Sequence, residues 1–318
     1  MTNQTRLFIL VILAFLPTVA MYAYANRSLT EADLRSDRDQ LLMIAGQAGQ
    51  EYRRILTDSE SLLASLAAMG EFTNPRQPRC TEALAEAMEH MPHYTAMQLI
   101  ETDGFVACSS LDTSDGLHVG DRYYHQAAIA NRRFIVGDFV IGRLTGKPIV
   151  GLAHPVTEPG TVNVTGVLAA YLDLDELANS IYRMDVPAGL TVTVVDRAGT
   201  VVVRVPSGSG ASGADTVGAK VPAGFPEPTG DVTGPYLVTG TDLDGVERVF
   251  AVQPLEAGGR RASGHLLVGR AEEAMRADTD VVAVRQLQLL AAGAVFMFVL
   301  AWLFGHYTLL RNTPATAT

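Results

Sequence analysis

Two long apolar segments bracket this chain and constrain its fold more than any other feature. The first runs from Leu7 to Tyr24 (LFILVILAFLPTVAMYAY) and the second from Leu287 to Leu310 (LQLLAAGAVFMFVLAWLFGHYTLL). Neither contains Asp, Glu, Lys or Arg, and at about 1.5 Å of rise per residue each is long enough to cross the apolar core of a bilayer. We therefore predict two transmembrane helices that hold one ectodomain at both its ends.

The flanking charges predict the topology. Arg6 precedes the first segment and Arg311 follows the second, with no acidic residue on either flank. The positive-inside rule then places both ends in the cytoplasm and the middle outside. A second interpretation of the first segment stays open, because Ala23-Tyr24-Ala25 fits a signal-peptide cleavage site. The length of the apolar stretch favours an uncleaved anchor.

The ectodomain is acidic. All 34 acidic residues lie between the two segments, against 21 basic ones once Arg6, Arg285 and Arg311 at the span ends are set aside. This charge argues against a nucleic-acid partner, which would require a basic surface. The two cysteines, Cys80 and Cys108, both fall in the part assigned to the outside, where an oxidising compartment favours a disulfide. Two unpaired buried thiols are the alternative, because spacing alone does not place the Cα atoms within reach.

A long helix is predicted from Leu29 to Met69. Its apolar residues follow a seven-residue register of Leu34, Leu41, Ala48, Ile55, Leu62 and Met69, widened by neighbouring leucines and isoleucines. The stripe fits packing against the helix's own domain and also fits a homodimer contact continuous with the first span. Both interpretations can hold together.

After the long helix the apolar period becomes strand-like, and the predicted fold class is α+β with two tandem antiparallel sheets. YTAMQLI and FVACSSL form a hairpin about Asp103-Gly104, DRYYHQAAIANR forms a helix, and three further strands and a helix follow. The pattern then repeats in shorter form, with hairpins about RAG and Asp244-Gly245 and a last strand, GHLLVGR. Each copy is expected to form a five-stranded sheet, with helices on one face of the first.

The order of these motifs resembles the double Cache family of bacterial extracytoplasmic sensors, in particular the sensor regions of histidine kinases and diguanylate cyclases. The resemblance rests on CSS at Cys108–Ser110, VGDRYYHQAA at 119–128, IVGDFVIGRLTGKPIVGLAHPV at 135–156, GVLAAYLDLDEL at 166–177, DRAGTVVVR and TDLDGVERVFAVQPL. It covers nearly the whole ectodomain and its bracketing helices. It implies two PAS-like sheets along a long N-terminal helix, the membrane-distal one holding a small ligand, in a multi-pass protein of the bacterial inner membrane.

The predicted organisation is as follows: 1–6 cytoplasmic, 7–25 first span, 26–79 long helix and linker, 80–185 membrane-distal Cache module, 186–270 membrane-proximal Cache module, 271–286 connecting helix, 287–310 second span and 311–318 cytoplasmic tail.

The resemblance implies a ligand pocket in the membrane-distal module. Arg122 stands where the family often binds a ligand carboxylate, and a guanidinium can grip a carboxylate with two parallel hydrogen bonds. A structural ion pair with Asp121 or Asp138 is the alternative. Of the adjacent tyrosines at 123 and 124, we assign Tyr124 to the pocket and the other to the core. The aromatic residue next to the arginine is Tyr in this sequence, whereas amino-acid-binding relatives have Trp there. Simple carboxylates therefore stay open as ligands beside amino acids.

Further pocket residues are predicted on the following loop and strands. Arg143, Thr145 and Lys147 lie in GRLTGKP, a loop that either caps the pocket or serves only as a glycine-assisted turn. Tyr171 is assigned to the pocket, and so is Asp173, which could meet a ligand ammonium opposite Arg122. The alternative for Asp173 is the N-cap of the next helix.

The chemistry of an enzyme is not visible in the sequence. It contains no HExxH or Cys-His metal spacing, no G-x-S-x-G elbow and no P-loop or kinase motif. We expect neither a metal nor a cofactor. The prediction is a two-span sensor that binds an amino acid or organic acid outside and signals through its second span, as a homodimer.

The output is expected to lie elsewhere, because only eight residues follow Leu310. The chain is then a fragment that has lost a kinase or cyclase, or a full sensor that acts on a separate membrane partner. A membrane-anchored binding protein or hydrolase that transmits nothing is the alternative from another class.

Overall fold

The computed structural model describes residues 3–73, 79–89, 91–111, 116–184, 186–206, 216–226, 234–257 and 260–275, with 288, 291–296, 299 and 302–303. The chain divides into two units, one of residues Met1–Asp39 with Glu272–Thr318 and one of Gln40–Ala271. The second unit contains both sheets and all the residues discussed below as a site.

A single long helix, α1 (Asn3–Ala67), forms the N-terminal part of the chain. In the second unit its buried side chains include Leu41, Ala48, Leu56 and Leu63, whereas Met69 just beyond it is 46% exposed. The strict seven-residue register therefore holds only at first and then drifts, because 3.6 residues per turn do not match a repeat of 3.5. The stripe faces the helix's own domain, and a dimer contact stays a prediction.

The first sheet is antiparallel, with strand order β2-β1-β5-β4-β3. Its strands are β1 (Tyr94–Glu101), β2 (Val106–Ser109), β3 (Ile135–Ile141), β4 (Pro148–Thr157) and β5 (Val164–Asp173). The helices around it are α2 (Gly70–Thr73), α3 (Cys80–Met88), α4 (Tyr123–Asn131) and α5 (Leu174–Tyr182). A disulfide joins Cys80 of α3 to Cys108 of β2, with 6.0 Å between the Cα atoms.

The second sheet has the same topology, with strand order β7-β6-β10-β9-β8. Its strands are β6 (Leu190–Asp196), β7 (Val201–Pro206), β8 (Tyr236–Thr241), β9 (Glu247–Ala257) and β10 (Arg260–Ala271). The predicted pair of five-stranded antiparallel sheets is thus confirmed. The two sheets differ in the connection between their second and third strands. In the first sheet, α4 lies between β2 and β3. In the second sheet, the described part of the connection between β7 and β8 is the segment 216–226.

The long helix contacts both sheets. Ser59 of α1 shares a hydrogen bond of 2.6 Å with the Tyr94 hydroxyl of the first sheet. Gly49 lies against Gln253 of the second, and a Cβ there would be 2.5 Å from Gln253 Cγ. Only a residue without a side chain allows this approach.

The two predicted spans fall largely outside the described part of the chain. No helix within that part is both long enough and apolar enough to cross a membrane. Residues 7–25 belong to α1, but apart from Met21 their side chains are not described, and neither are most of residues 276–310. The spans and the connecting helix therefore stay predictions.

Candidate functional site

The candidate site is a cavity between the first sheet, α4 and the loop that follows β3. Five of the seven predicted ligand residues line it: Arg122, Tyr124, Arg143, Thr145 and Tyr171. The sequence pattern alone had not indicated the other lining residues, which are Ala96, Gln98, Leu117, Val119, Val140, Ile141, Gly142, Leu144 and Ile149. The cavity volume is about 20 Å³, which is room for about one water molecule.

Two tyrosines and a glutamine form the buried floor. The Tyr171 hydroxyl donates to Gln98 Oε1 at 2.6 Å, and the Tyr124 and Tyr171 hydroxyls lie 3.2 Å apart. All three side chains are at most 5% exposed. Burial raises the pKa of both tyrosines, well above the ordinary value for Tyr171, so both phenols stay protonated at neutral pH. The floor is therefore polar but uncharged.

Glycines in two adjacent strands create the space for Tyr124. A Cβ at Gly151 of β4 would lie 2.5 Å from Tyr124 Cδ1, and one at Gly137 of β3 would lie 3.2 Å from Tyr124 Cβ. Real Cβ atoms essentially never come as close as the first of these distances, and the second is tighter than nine in ten real Cβ contacts, so the glycines leave the slot in which the tyrosine sits. These glycines are visible in the sequence, but which ring they accommodate is not.

Arginines stand at the mouth. Arg122 is the N-cap residue of α4, and its Nη2 donates to the Ile141 carbonyl at 3.1 Å. Arg143 follows β3 and binds Asp121 with two hydrogen bonds of 2.7 Å each, and it also donates to the His118 carbonyl at 2.6 Å. The hydrogen bonds from Arg143 lower the pKa of Asp121. Of the two proposed structural partners of Arg122, Asp121 thus pairs with Arg143 and Asp138 with Arg197.

Lys147 and Asp173 do not line the cavity. Asp173 is the N-cap of α5, where its Oδ1 accepts from the Asp175 and Glu176 amides at 2.9 and 3.4 Å. Its other oxygen pairs with Lys147 Nζ at 3.4 Å. The capping alternative for Asp173 is therefore what the structure shows, because the strand ends there and the carboxylate turns to the free amides of the helix.

The neighbour of Tyr124 does not pack in the core, contrary to the prediction. Tyr123 is 40% exposed, and the Arg197 guanidinium lies 3.7 Å from the centroid of its ring. The same guanidinium binds Asp138 at 2.6 Å, and the Phe139 amide donates to Asp196 at 2.9 Å. These contacts join the end of β6 and the turn after it to β3 and to the start of α4.

Solved structures with a similar fold include an extracellular domain of a histidine kinase and ligand-binding domains of chemoreceptors. The chain is similar to the extracellular domain of a protein described as the histidine kinase rpHK1S-Z16 (TM-score 0.60, 15% identity, 76% of this chain and 97% of that one). It is also similar to the ligand-binding domain of the Pseudomonas aeruginosa amino acid chemoreceptor PctB in complex with L-Arg (TM-score 0.59, 17% identity, 80% of this chain and 98% of that one). A third similar structure is the ligand-binding domain of the Pseudomonas fluorescens chemoreceptor CtaA in complex with L-serine (TM-score 0.56, 19% identity, 75% of this chain and 99% of that one).

Sequence comparison gives a weaker similarity. A stretch of 98 residues is 26% identical to sporulation kinase D of Bacillus subtilis, covering 31% of this chain and 19% of that kinase. The chain thus spans about a fifth of the length of this relative. No family profile matches the chain. The predicted resemblance to double Cache sensors is confirmed at the level of the fold.

Proposed function

We propose that this chain is the ligand-binding part of a membrane receptor and that it binds a small carboxylate in the cavity of the first sheet. The observation that carries the proposal is the pairing of arginines at the mouth with a neutral polar floor in one small cavity. Within the described residues, the Arg122 side chain donates a single hydrogen bond, to the Ile141 carbonyl, so its planar fork can turn to a carboxylate. The similar structures solved with amino acids bound support a carboxylate ligand.

Binding would require the mouth to open, because the cavity is smaller than any such ligand. The contacts across the mouth are weak enough for this. The Arg143–Asp121 pair is exposed, at 38% and 55% of the two side chains, and exposed pairs contribute about 0–1 kcal/mol. A ligand that binds only one arrangement of mouth and α4 shifts the protein toward that arrangement. We infer that the shift passes to the cytoplasm through the second predicted span, in a homodimer, and that the chain itself catalyses nothing.

A thermal-shift screen of the purified chain against amino acids and organic acids, followed by calorimetric titration of the best ligand, tests the proposal. Arg122→Ala should weaken binding about 10- to 100-fold, since a hydrogen bond to a charged group contributes about 1.5–3 kcal/mol. Arg183→Ala is the matched control: it removes the same charge from an exposed site at the C-cap of α5. Full affinity in Arg122→Ala, or equal losses in both variants, would show that the pocket is assigned wrongly.

A further inference from the structure

The hydrogen bonds at the cavity floor have a defined direction. Because the single proton of the Tyr171 hydroxyl goes to Gln98 Oε1, the bond between the two tyrosines must use the proton of Tyr124. The Tyr124 oxygen keeps lone pairs for accepting, and the Gln98 amide nitrogen brings donors. The floor can thus both donate to and accept from a neutral oxygen.

Carboxylates close to the cavity are already engaged. Asp121 is bound by Arg143, and Asp173 caps α5 and pairs with Lys147. Among the lining residues that the structure describes, none carries a carboxylate. Among the residues that line the described cavity, a ligand ammonium at this floor would leave water and meet only neutral dipoles. Burying a charge without a counter-charge is costly, whereas a hydroxyl or keto oxygen needs only a hydrogen bond.

The walls limit the length of the ligand. Val119, Val140 and Ile149 are apolar residues that line the same cavity, and Val119 and Ile149 are at most 3% exposed. Because Arg122 and Tyr124 line the same small cavity, a short ligand whose second polar group lies close to its carboxylate can contact both.

We propose, resting on the carboxylate-receptor function above, that this cavity selects short 2-hydroxy or 2-oxo monocarboxylates over α-amino acids of the same size. Arg122 binds the carboxylate. The buried Tyr124–Tyr171–Gln98 floor binds the neighbouring neutral oxygen and disfavours an ammonium. The specificity is thus opposite to that of the similar structures crystallised with amino acids.

Lactate and alanine provide a direct test, because they differ only in a hydroxyl or an ammonium on the second carbon. Calorimetric titration of the full chain should show lactate (of either hand) or pyruvate binding at least tenfold more tightly than alanine of either hand. Equal or tighter binding of alanine overturns the inference, and so does the absence of lactate and pyruvate binding. In either case, a ligand that loses affinity in Arg122→Ala would leave the proposed function standing.

Variants of the floor test the mechanism. Gln98→Glu places a carboxylate on the floor and should shift the preference towards alanine at least tenfold. Tyr124→Phe keeps the ring in its glycine slot but removes the hydroxyl, so the affinity for lactate should fall towards that for propionate, which lacks the second oxygen. Circular dichroism identifies a variant that fails to fold. In that case, the comparison of lactate with alanine in the wild type decides whether the proposed specificity holds. An unchanged lactate-to-alanine ratio in a folded Gln98→Glu variant would refute the role of the floor.

Discussion

Replacing Asp242 with asparagine should destabilise the second sheet far more than the same replacement at Asp244, two residues along the chain. Both carboxylates contact the same pair of arginines, Arg204 and Arg248. They differ in exposure: the side chain of Asp242 is 0% exposed and that of Asp244 is 35% exposed. The pair of variants therefore separates the effect of burial from that of the chemical change.

The magnitude follows from the contacts that each variant loses. Asp242 accepts two hydrogen bonds from Arg204 at 2.7 and 3.0 Å and pairs with Arg248 at 3.2 Å. The two arginine side chains are themselves only 7% and 11% exposed. Leaving them without their buried counter-charge costs about 3–5 kcal/mol, whereas the more exposed Asp244 contributes about 0–1 kcal/mol. At about 2–4 °C per kcal/mol for a domain of this size, Asp242→Asn should lower Tm by at least about 6 °C.

The same carboxylate should contribute to acid unfolding. Burial alone would raise the pKa of Asp242, but the hydrogen bonds and charge of Arg204 outweigh it and hold the pKa below its ordinary value of 3.8. A depressed folded-state pKa means that the stabilisation is fully present above the unfolded value and is lost as the pH falls through the folded one. In the wild type, protonation of Asp242 should therefore lower the free energy of unfolding below about pH 4, and this contribution should be missing in Asp242→Asn.

Thermal unfolding of the full chain, followed by circular dichroism at pH 7 and at steps down to pH 2.5, measures both effects. Asp244→Asn is the control and should shift Tm by less than about 4 °C. Equal shifts for the two variants would refute the reasoning, because burial would then not decide the strength of these ion pairs.

Three further changes test other parts of the structure. Cys108→Ser removes the disulfide to Cys80, which closes a separation of 28 residues, and should cost about 2–4 kcal/mol in chemical unfolding. Gly151→Ala pushes a methyl group into the ring of Tyr124; overpacking should cost about 1–3 kcal/mol and weaken ligand binding by calorimetry. Arg197→Ala removes one exposed ion pair and one cation–π contact, a loss of about 1–2 kcal/mol by the same unfolding assay.

Matched controls accompany these variants. Reduction of the wild type with a thiol should reproduce the loss in Cys108→Ser, and a stable reduced protein would contradict the role of the disulfide. Gly46→Ala, in α1 with nothing within 4 Å of the new methyl group, should instead stabilise by about 0.5–1 kcal/mol. For Arg197, a double-mutant cycle with Asp138→Asn should give a coupling of about 0.2–1 kcal/mol; zero coupling would show that the pair contributes nothing.

Much of the fold could be predicted from the sequence, because its signals are local. The Asp-Gly turns recur as tight turns with positive φ, 95° at Gly104 and 80° at Gly245, and the runs of apolar residues on either side of each became paired strands. The repeat of this pattern predicted two sheets of the same topology. Turn chemistry and a period of two residues depend only on neighbours in the chain.

The partners of the charged and polar side chains were decided only by the tertiary structure. Tyr171 and Asp173 lie two residues apart on one strand, yet one faces the cavity and the other caps a helix. Gln98 reads as one polar residue in a buried strand, and its role depends on a tyrosine 73 residues away. Arg197 meets Asp138 across 59 residues. Hydrogen bonds and ion pairs act over a few ångströms in space, so sequence spacing carries little information about them.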